Sequence, residues 1–126
     1  MHSKYVLRYW FEWGGPILWP ADDATRDALG YPVDVALLPL SACTVARIDE
    51  LIAWHDTALN QEYPSDPGPW RQEECDRFNA AARDLLAVIQ SELGLAFAII
   101  DAFVPEREDP DLGDYQCDRK GFKRRR

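Results

Sequence analysis

The chain has few residues of the types that build metal or nucleophilic sites. Only two histidines, one methionine and three cysteines occur among 126 residues, and no CxxC pair is present. Zinc sites need clustered ligands, and Ser-His-Asp or Cys-His catalysis needs a histidine base beside its nucleophile. GxSxG and Gly-rich phosphate motifs are also absent. The sequence therefore predicts no catalytic residue, no metal site and no cofactor.

Long apolar runs are missing as well. The longest run, Leu95 to Ile100, is too short to cross a bilayer, and the N-terminus lacks the apolar stretch of a signal peptide. Three cysteines without a targeting signal are typical of reduced thiols. We therefore expect a cytoplasmic protein without a membrane partner.

Basic residues are scarce outside the last eight positions. The formal net charge is −8, and residues 119–126 carry six of the 14 basic groups and no acid. Residues 1–118 hold eight basic and 22 acidic residues, a net of −14. Because nucleic acid binding depends on clustered Lys and Arg, we do not expect it for the body. A weak nucleic acid contact by Arg124–Arg126 stays open.

Hydrophobic periodicity predicts an α+β fold. Alternating residues over 4–13 and 95–104 are typical of strands, because successive side chains of a strand point to opposite faces. Apolar residues at helical spacing predict two long helices at about 42–60 and 70–93. We expect these helices to form an antiparallel pair, joined by the proline-containing loop 60–70, with the sheet packed against them.

Local signals predict where the elements end. Ser41 is a suitable N-cap for the first long helix, and Gly94 should end the second. A shorter helix at about 22–29 should end at Gly30. The predicted core comprises Leu7, Tyr9, Phe11, Ile48, Ile52, Phe78, Leu85, Leu86, Ile89, Phe97 and Ile99.

The last part of the chain is predicted to lie outside the fold. Residues 105–126 are polar, with Gly and Pro breaks and almost no apolar periodicity. We expect a single domain over 1–104 and a flexible tail over 105–126, acidic first and then basic. The acidic run within 106–118 is interpreted as solvated, or as a mimic of a phosphate backbone or a lid over a basic site.

Tryptophans near acidic side chains are the candidate partner-binding residues. Aromatic side chains anchor interfaces and charges steer association, so such a patch suits a basic protein partner. The predicted binding set is Trp10, Trp54, Asp56, Glu62, Asp66 and Trp70. The alternative is that Trp54 and Trp70 pack under the loop 60–70 as a satellite of the core.

Two other functions are weighed against a binding role. His55 and Asp56 form an HD pair, which could centre a small hydrolase or a metal-dependent enzyme, although the other ligands of such a site are missing. The strand over 95–104 could also present an edge for a self-associating structural or regulatory domain. The sequence does not indicate an oligomeric state.

Several stretches carry a family resemblance. WHDTALNQEYPSDPGPWRQEECDRFNAAARDLL, with YWFEWGG near the start and GYPVD and LPLS between them, resembles a group of small, uncharacterised, acidic actinobacterial proteins. The resemblance covers roughly residues 5–103 and carries over no catalytic residue. By size, acidity and α+β build, such proteins also look like immunity proteins of bacterial toxin systems. That likeness implies a non-enzymatic inhibitor that covers the basic active site of a toxin enzyme.

Overall fold

The computed structural model describes residues 3–122, which form a small sheet packed on a pair of long helices. His2 and the Arg124–Arg126 cluster lie outside the described residues. The elements in chain order are β1 (Tyr5–Tyr9), β2 (Leu18–Pro20), α1 (Asp23–Leu29), α2 (Ala42–Asp56), α3 (Gln72–Leu93), β3 (Phe97–Asp101) and α4 (Leu112–Cys117). Single 3-10 turns lie at Val35–Leu37 and Gly94–Ala96. The predicted α+β class is confirmed.

β1 is the central strand of the three-stranded sheet. It pairs antiparallel with β2 and parallel with β3, so that Leu7 lies between Pro20 and Ile99. A parallel pair requires a long crossover connection, and the segment that contains α2 and α3 supplies it. β2 was not predicted, because three residues, of which the last is a proline, are too few to show a period.

Both predicted strands are shorter in the structure than in the sequence reading. The strand predicted at 4–13 ends at Tyr9, although the alternation persists, since Leu7, Tyr9 and Phe11 are all buried. The strand predicted at 95–104 covers only 97–101. It lies at the edge of the sheet and not deep in the core, so that Ile100 is 43% exposed.

α2 begins as predicted and ends early. Ser41 caps the helix, because its Oγ accepts a hydrogen bond from the Thr44 amide at 3.2 Å. The helix ends at Asp56 and not near residue 60. Its buried face consists of Thr44, Ile48, Leu51 and His55. The sequence pattern predicts a stripe of Val45, Ile48, Ile52 and Leu59 with His55 inside it. Thr44 is polar, so an apolar pattern does not reveal its burial.

α3 follows its predicted stripe throughout. Cys75, Phe78, Ala82, Leu85, Leu86, Ile89 and Leu93 are all buried. Gly94, with φ of 71°, ends the helix as expected. The Tyr9 hydroxyl donates to the Ala82 carbonyl at 2.7 Å inside the core, and burial raises the pKa of that phenol above its ordinary value. This bond fixes the central strand against the helix.

Glu92 joins the end of α3 to the start of α2. Its carboxylate accepts from the Ser41 amide at 2.7 Å and from the Thr44 hydroxyl at 2.7 Å. At the other end of the pair, the Trp54 indole donates to Glu74 at 3.0 Å, so that the helices run antiparallel, as predicted. The hydrogen bond from the Ser41 backbone, followed by that from Thr44, holds the pKa of Glu92 below its ordinary value.

The chain after β3 contacts the helix pair, unlike the flexible tail expected from the sequence. Leu112 and Tyr115 of α4 are buried, and the Asn60 amide donates to the Tyr115 hydroxyl at 3.0 Å. Individual side-chain contacts hold this segment, and they leave no periodic pattern in the sequence. The division of the chain into domains at residue 104 stays a prediction.

We predict that Glu92→Gln lowers the melting temperature at neutral pH. The lowered pKa means that the ionised carboxylate stabilises the fold above the ordinary carboxyl range, and that this contribution is lost as pH falls through the folded-state pKa. The difference between wild type and variant should therefore shrink in acid. Thermal unfolding from neutral to acidic pH measures it, with Asp84→Asn on the exposed side of α3 as the control. A difference that is constant across pH contradicts this role.

Candidate functional site

His55 is a buried residue of α2 that contacts two other parts of the chain. Its side chain is 3% exposed, and its ring stacks on Trp13 with centroids 4.0 Å apart and planes 12° apart. Its Nε2 lies 3.0 Å from an oxygen of Glu106. An ionised carboxylate only accepts, so Nε2 carries the proton of this bond. Nδ1 has no hydrogen-bond partner among residues 3–122.

Asp56 points to a different partner from its neighbour. Its Oδ1 accepts from the Gly14 amide at 2.8 Å, in a turn where Gly14 has φ of +67°. His55 faces Glu106 and Trp13, so the two side chains of the HD pair do not converge. Among the described residues, no group of three His, Cys, Asp or Glu side chains could hold a metal ion. The geometry therefore gives His55 and Asp56 separate contacts and not a shared site.

Trp54 and Trp70 lie under the proline loop and not in an open patch. Trp70 is buried, and its indole donates to the Thr57 hydroxyl at 2.9 Å. Trp54 is half-buried, and its ring centroid lies 5.9 Å from that of Trp70 and 5.2 Å from that of Phe78. Trp70 thus belongs to the core and Trp54 packs against it, and both indole N–H groups have protein partners.

The other predicted binding residues lie at the surface. Trp10 is 39% exposed, and its ring centroid lies 6.0 Å from that of Trp19. Asp66 and Glu62 lie on the loop 57–69, where Glu62 is exposed and Asp66 partly exposed. That these residues bind a partner stays a prediction.

A cleft of about 700 Å³ separates the proline loop from the chain after β3. Its lining includes one basic residue, Arg107. It also includes four acidic residues and two tryptophans, which are Asp66, Glu106, Glu108, Asp109, Trp13 and Trp70. A second groove of about 370 Å³, lined by Asp56, Glu62 and Arg119 among others, lies on the other side of the same loop. Both concave surfaces are thus bordered by carboxylates.

Reciprocal hydrogen bonds set the position of the cleft wall. The Asn79 side chain donates to the Glu106 carbonyl at 2.9 Å and accepts from the Glu106 amide at 2.8 Å. Two turns earlier on α3, Gln72 and Glu108 exchange two bonds of 3.1 Å, each from the backbone amide of one residue to the side chain of the other. Sequence reasoning placed Glu106 and Glu108 in a solvated run, and it had no local signal for these partners far along the chain.

We predict that Asn79→Ala releases the segment around Glu106. The variant leaves a part-buried N–H and C=O without their partner, which should cost about 1–3 kcal/mol of unfolding free energy. Trypsin should then cut faster after Arg107, which is exposed. Asn79→Asp keeps the acceptor and removes only the donor, so we expect an intermediate effect. Equal cleavage rates in wild type and Asn79→Ala would contradict the proposed anchoring.

Comparison with known proteins gives one family. A family model described as Serratia CdiI immunity protein-like matches residues 6–101, which is more than half of the chain. No curated protein matches the chain. Within residues 3–122, no helix is long and apolar enough to cross a membrane.

Proposed function

The chain belongs to the Serratia CdiI immunity protein-like family, and from that premise we propose that it inhibits a toxin by covering its basic active site. Proteins of an immunity family act by binding and not by catalysis, so we propose no enzymatic activity. The proposed contact surface, here called the acidic face, consists of Asp56, Glu62, Asp66, Glu106 and Glu108. The site of action that we propose is the cytoplasm.

The acidic cleft is the observation that carries this proposal. Glu106 and Glu108 are held by hydrogen bonds to His55 and Gln72, so their carboxylates stand in fixed positions before a partner arrives. Preorganised charge loses little side-chain entropy on binding. Opposite charge on the partner also raises the association rate by steering the encounter. The net charge of −14 over residues 1–118 adds a long-range attraction for a cationic surface.

The tryptophans contribute in two ways in this proposal. Trp10 is exposed and available as a contact. Trp54 and Trp70 contribute indirectly, because they pack against Phe78 and support the loop that carries Glu62 and Asp66. We thus keep all six residues in the binding surface, with Trp54 and Trp70 as supports.

We predict that reversing charge on the acidic face slows toxin binding. The partner to test is a toxin domain encoded beside the gene for this chain, whose expression should arrest growth unless this chain is present. Glu62→Lys with Asp66→Lys should slow association about tenfold and weaken its salt dependence, because rim charges act mainly on the encounter. Stopped-flow or surface-binding kinetics measure both effects.

The matched control carries the same change of charge elsewhere. Asp27→Lys with Asp84→Lys alters exposed acids of α1 and α3, outside the acidic face. This control should bind nearly as fast as wild type. If both double variants slow association equally, net charge alone explains the effect, which contradicts a specific acidic face. If the wild-type chain fails to protect cells from the toxin, the inhibitor role is contradicted.

A second candidate function rests on the position of β3. This strand lies at the edge of the sheet, its residue Ile100 is exposed, and so is Leu95 in the turn before it. Unpaired strand edges can pair with another chain, so this edge favours self-association as the alternative. If self-association is the function, sedimentation velocity should show a concentration-dependent dimer that Ile100→Lys weakens. A strict monomer at all concentrations rules it out.

A further inference from the structure

A pocket of about 320 Å³ opens where the chain beyond β1 meets the chain beyond β3. Its aromatic and titratable lining residues include Trp10, Glu12, Trp13, His55, Phe103 and Glu106. It adjoins the acidic cleft, because Trp13 and Glu106 line both. The six residues come from three segments, with sequence positions up to 96 apart, and the packing of these segments brings them together.

The aromatic walls of this pocket contact other rings of the fold, and two of them are also exposed. Trp13 is 42% exposed, although one face of its indole is stacked on the buried His55 ring. Trp10 is also exposed, and its carbonyl is fixed by the Trp19 indole at 3.0 Å. Phe103 closes the pocket from the core side, with its ring centroid 5.8 Å from that of Phe11. Aromatic faces held in this way attract a cation through their quadrupole.

Two carboxylates complete the surroundings. Glu106 is held by the Nε2 atom of His55, and Glu12 is exposed with no side-chain hydrogen bond or ion pair among the described residues. No Lys or Arg of the described chain lines the pocket. A purely apolar ligand would have to bury these carboxylates at a cost, whereas a cation satisfies both the rings and the carboxylates.

We propose that this pocket receives one arginine side chain of the partner. A guanidinium is planar, so it can stack on an indole while its edge donates two hydrogen bonds to a carboxylate such as Glu12. The proposal rests on the proposed function, since the arginine belongs to the toxin. It adds a specific anchor to the acidic face, where the other charges act mainly through steering.

The test uses a small probe in place of the toxin. N-acetyl-argininamide is titrated into the full chain, and the indole N–H resonances are followed by nuclear magnetic resonance. We expect saturable shifts of the Trp10 and Trp13 indoles in the millimolar range, and smaller shifts of the buried Trp70. The neutral isostere N-acetyl-citrullinamide should give no saturable shift, because it lacks the charge. N-acetyl-lysinamide should bind more weakly, since an ammonium cannot stack.

Variants separate the pocket from general charge effects. Glu12→Gln keeps the shape of the side chain and should weaken probe binding about fivefold. Glu50→Gln removes an exposed acid of α2 that does not line the pocket, and it should bind like wild type. Trp10→Leu gives a second variant that alters an aromatic wall without removing the Trp13–His55 stack. Equal affinity of Glu12→Gln and wild type, or equal shifts with citrullinamide, would overturn the proposal.

The outcome also distinguishes this proposal from the function on which it rests. If argininamide shifts neither indole while the chain still protects cells from the toxin, the pocket assignment is wrong and the inhibitor role stands. If the probe binds as expected while the chain gives no protection, the cation pocket stands and the inhibitor role is wrong.

Discussion

The reciprocal hydrogen bonds between the Asn79 side chain and the Glu106 backbone are the constraint on which the candidate site depends. They hold the chain after β3 against α3, in a place where an unpaired amide and carbonyl would each be costly. Glu106 then reaches His55, whose ring supports Trp13. One amide side chain thus fixes the wall of the acidic cleft and, through Glu106, one side of the aromatic pocket.

Buried polar residues carry most of the specific geometry of this fold. Thr44, His55 and Asn79 occupy positions on the core faces of α2 and α3 that an apolar side chain could fill. Each instead contacts a segment distant in sequence: Thr44 bonds Glu92, and the other two bond Glu106. Such residues lower the apolar regularity of a helix while they specify which segment packs on it.

The parts of the fold that follow from local physics could be predicted from the sequence. The Ser41 cap, the glycine at the end of α3 and the whole apolar stripe of α3 depend on nearby residues only. β2 is too short to show a period. Phe97 and Ile99 of β3, which were predicted for the core, are only partly buried, because the place of this strand at the sheet edge is a tertiary property. The packing of residues 105–118 depends on single contacts with Asn60 and Asn79, which no period encodes.

The candidate site was predictable in composition and less so in arrangement. The sequence pointed to acids and tryptophans near the proline loop, and Asp66 does line the acidic cleft. It could not show that Trp70 faces inward, because a buried indole and an exposed one look alike in a loop. It also offered no reason to join Trp13 with Glu106, since the two lie far apart in the sequence and both contact the ring of His55.

Mapping of backbone amide chemical shifts locates the surface through which we propose that this chain binds a toxin. The isotope-labelled chain is titrated with the toxin domain encoded beside its gene, and its perturbed backbone amides are placed on the structure. We expect the perturbations to concentrate at residues 10–14, 56–68 and 103–110, around the acidic cleft and the aromatic pocket. Perturbations confined to α1 and the outer edge of β3 would contradict it.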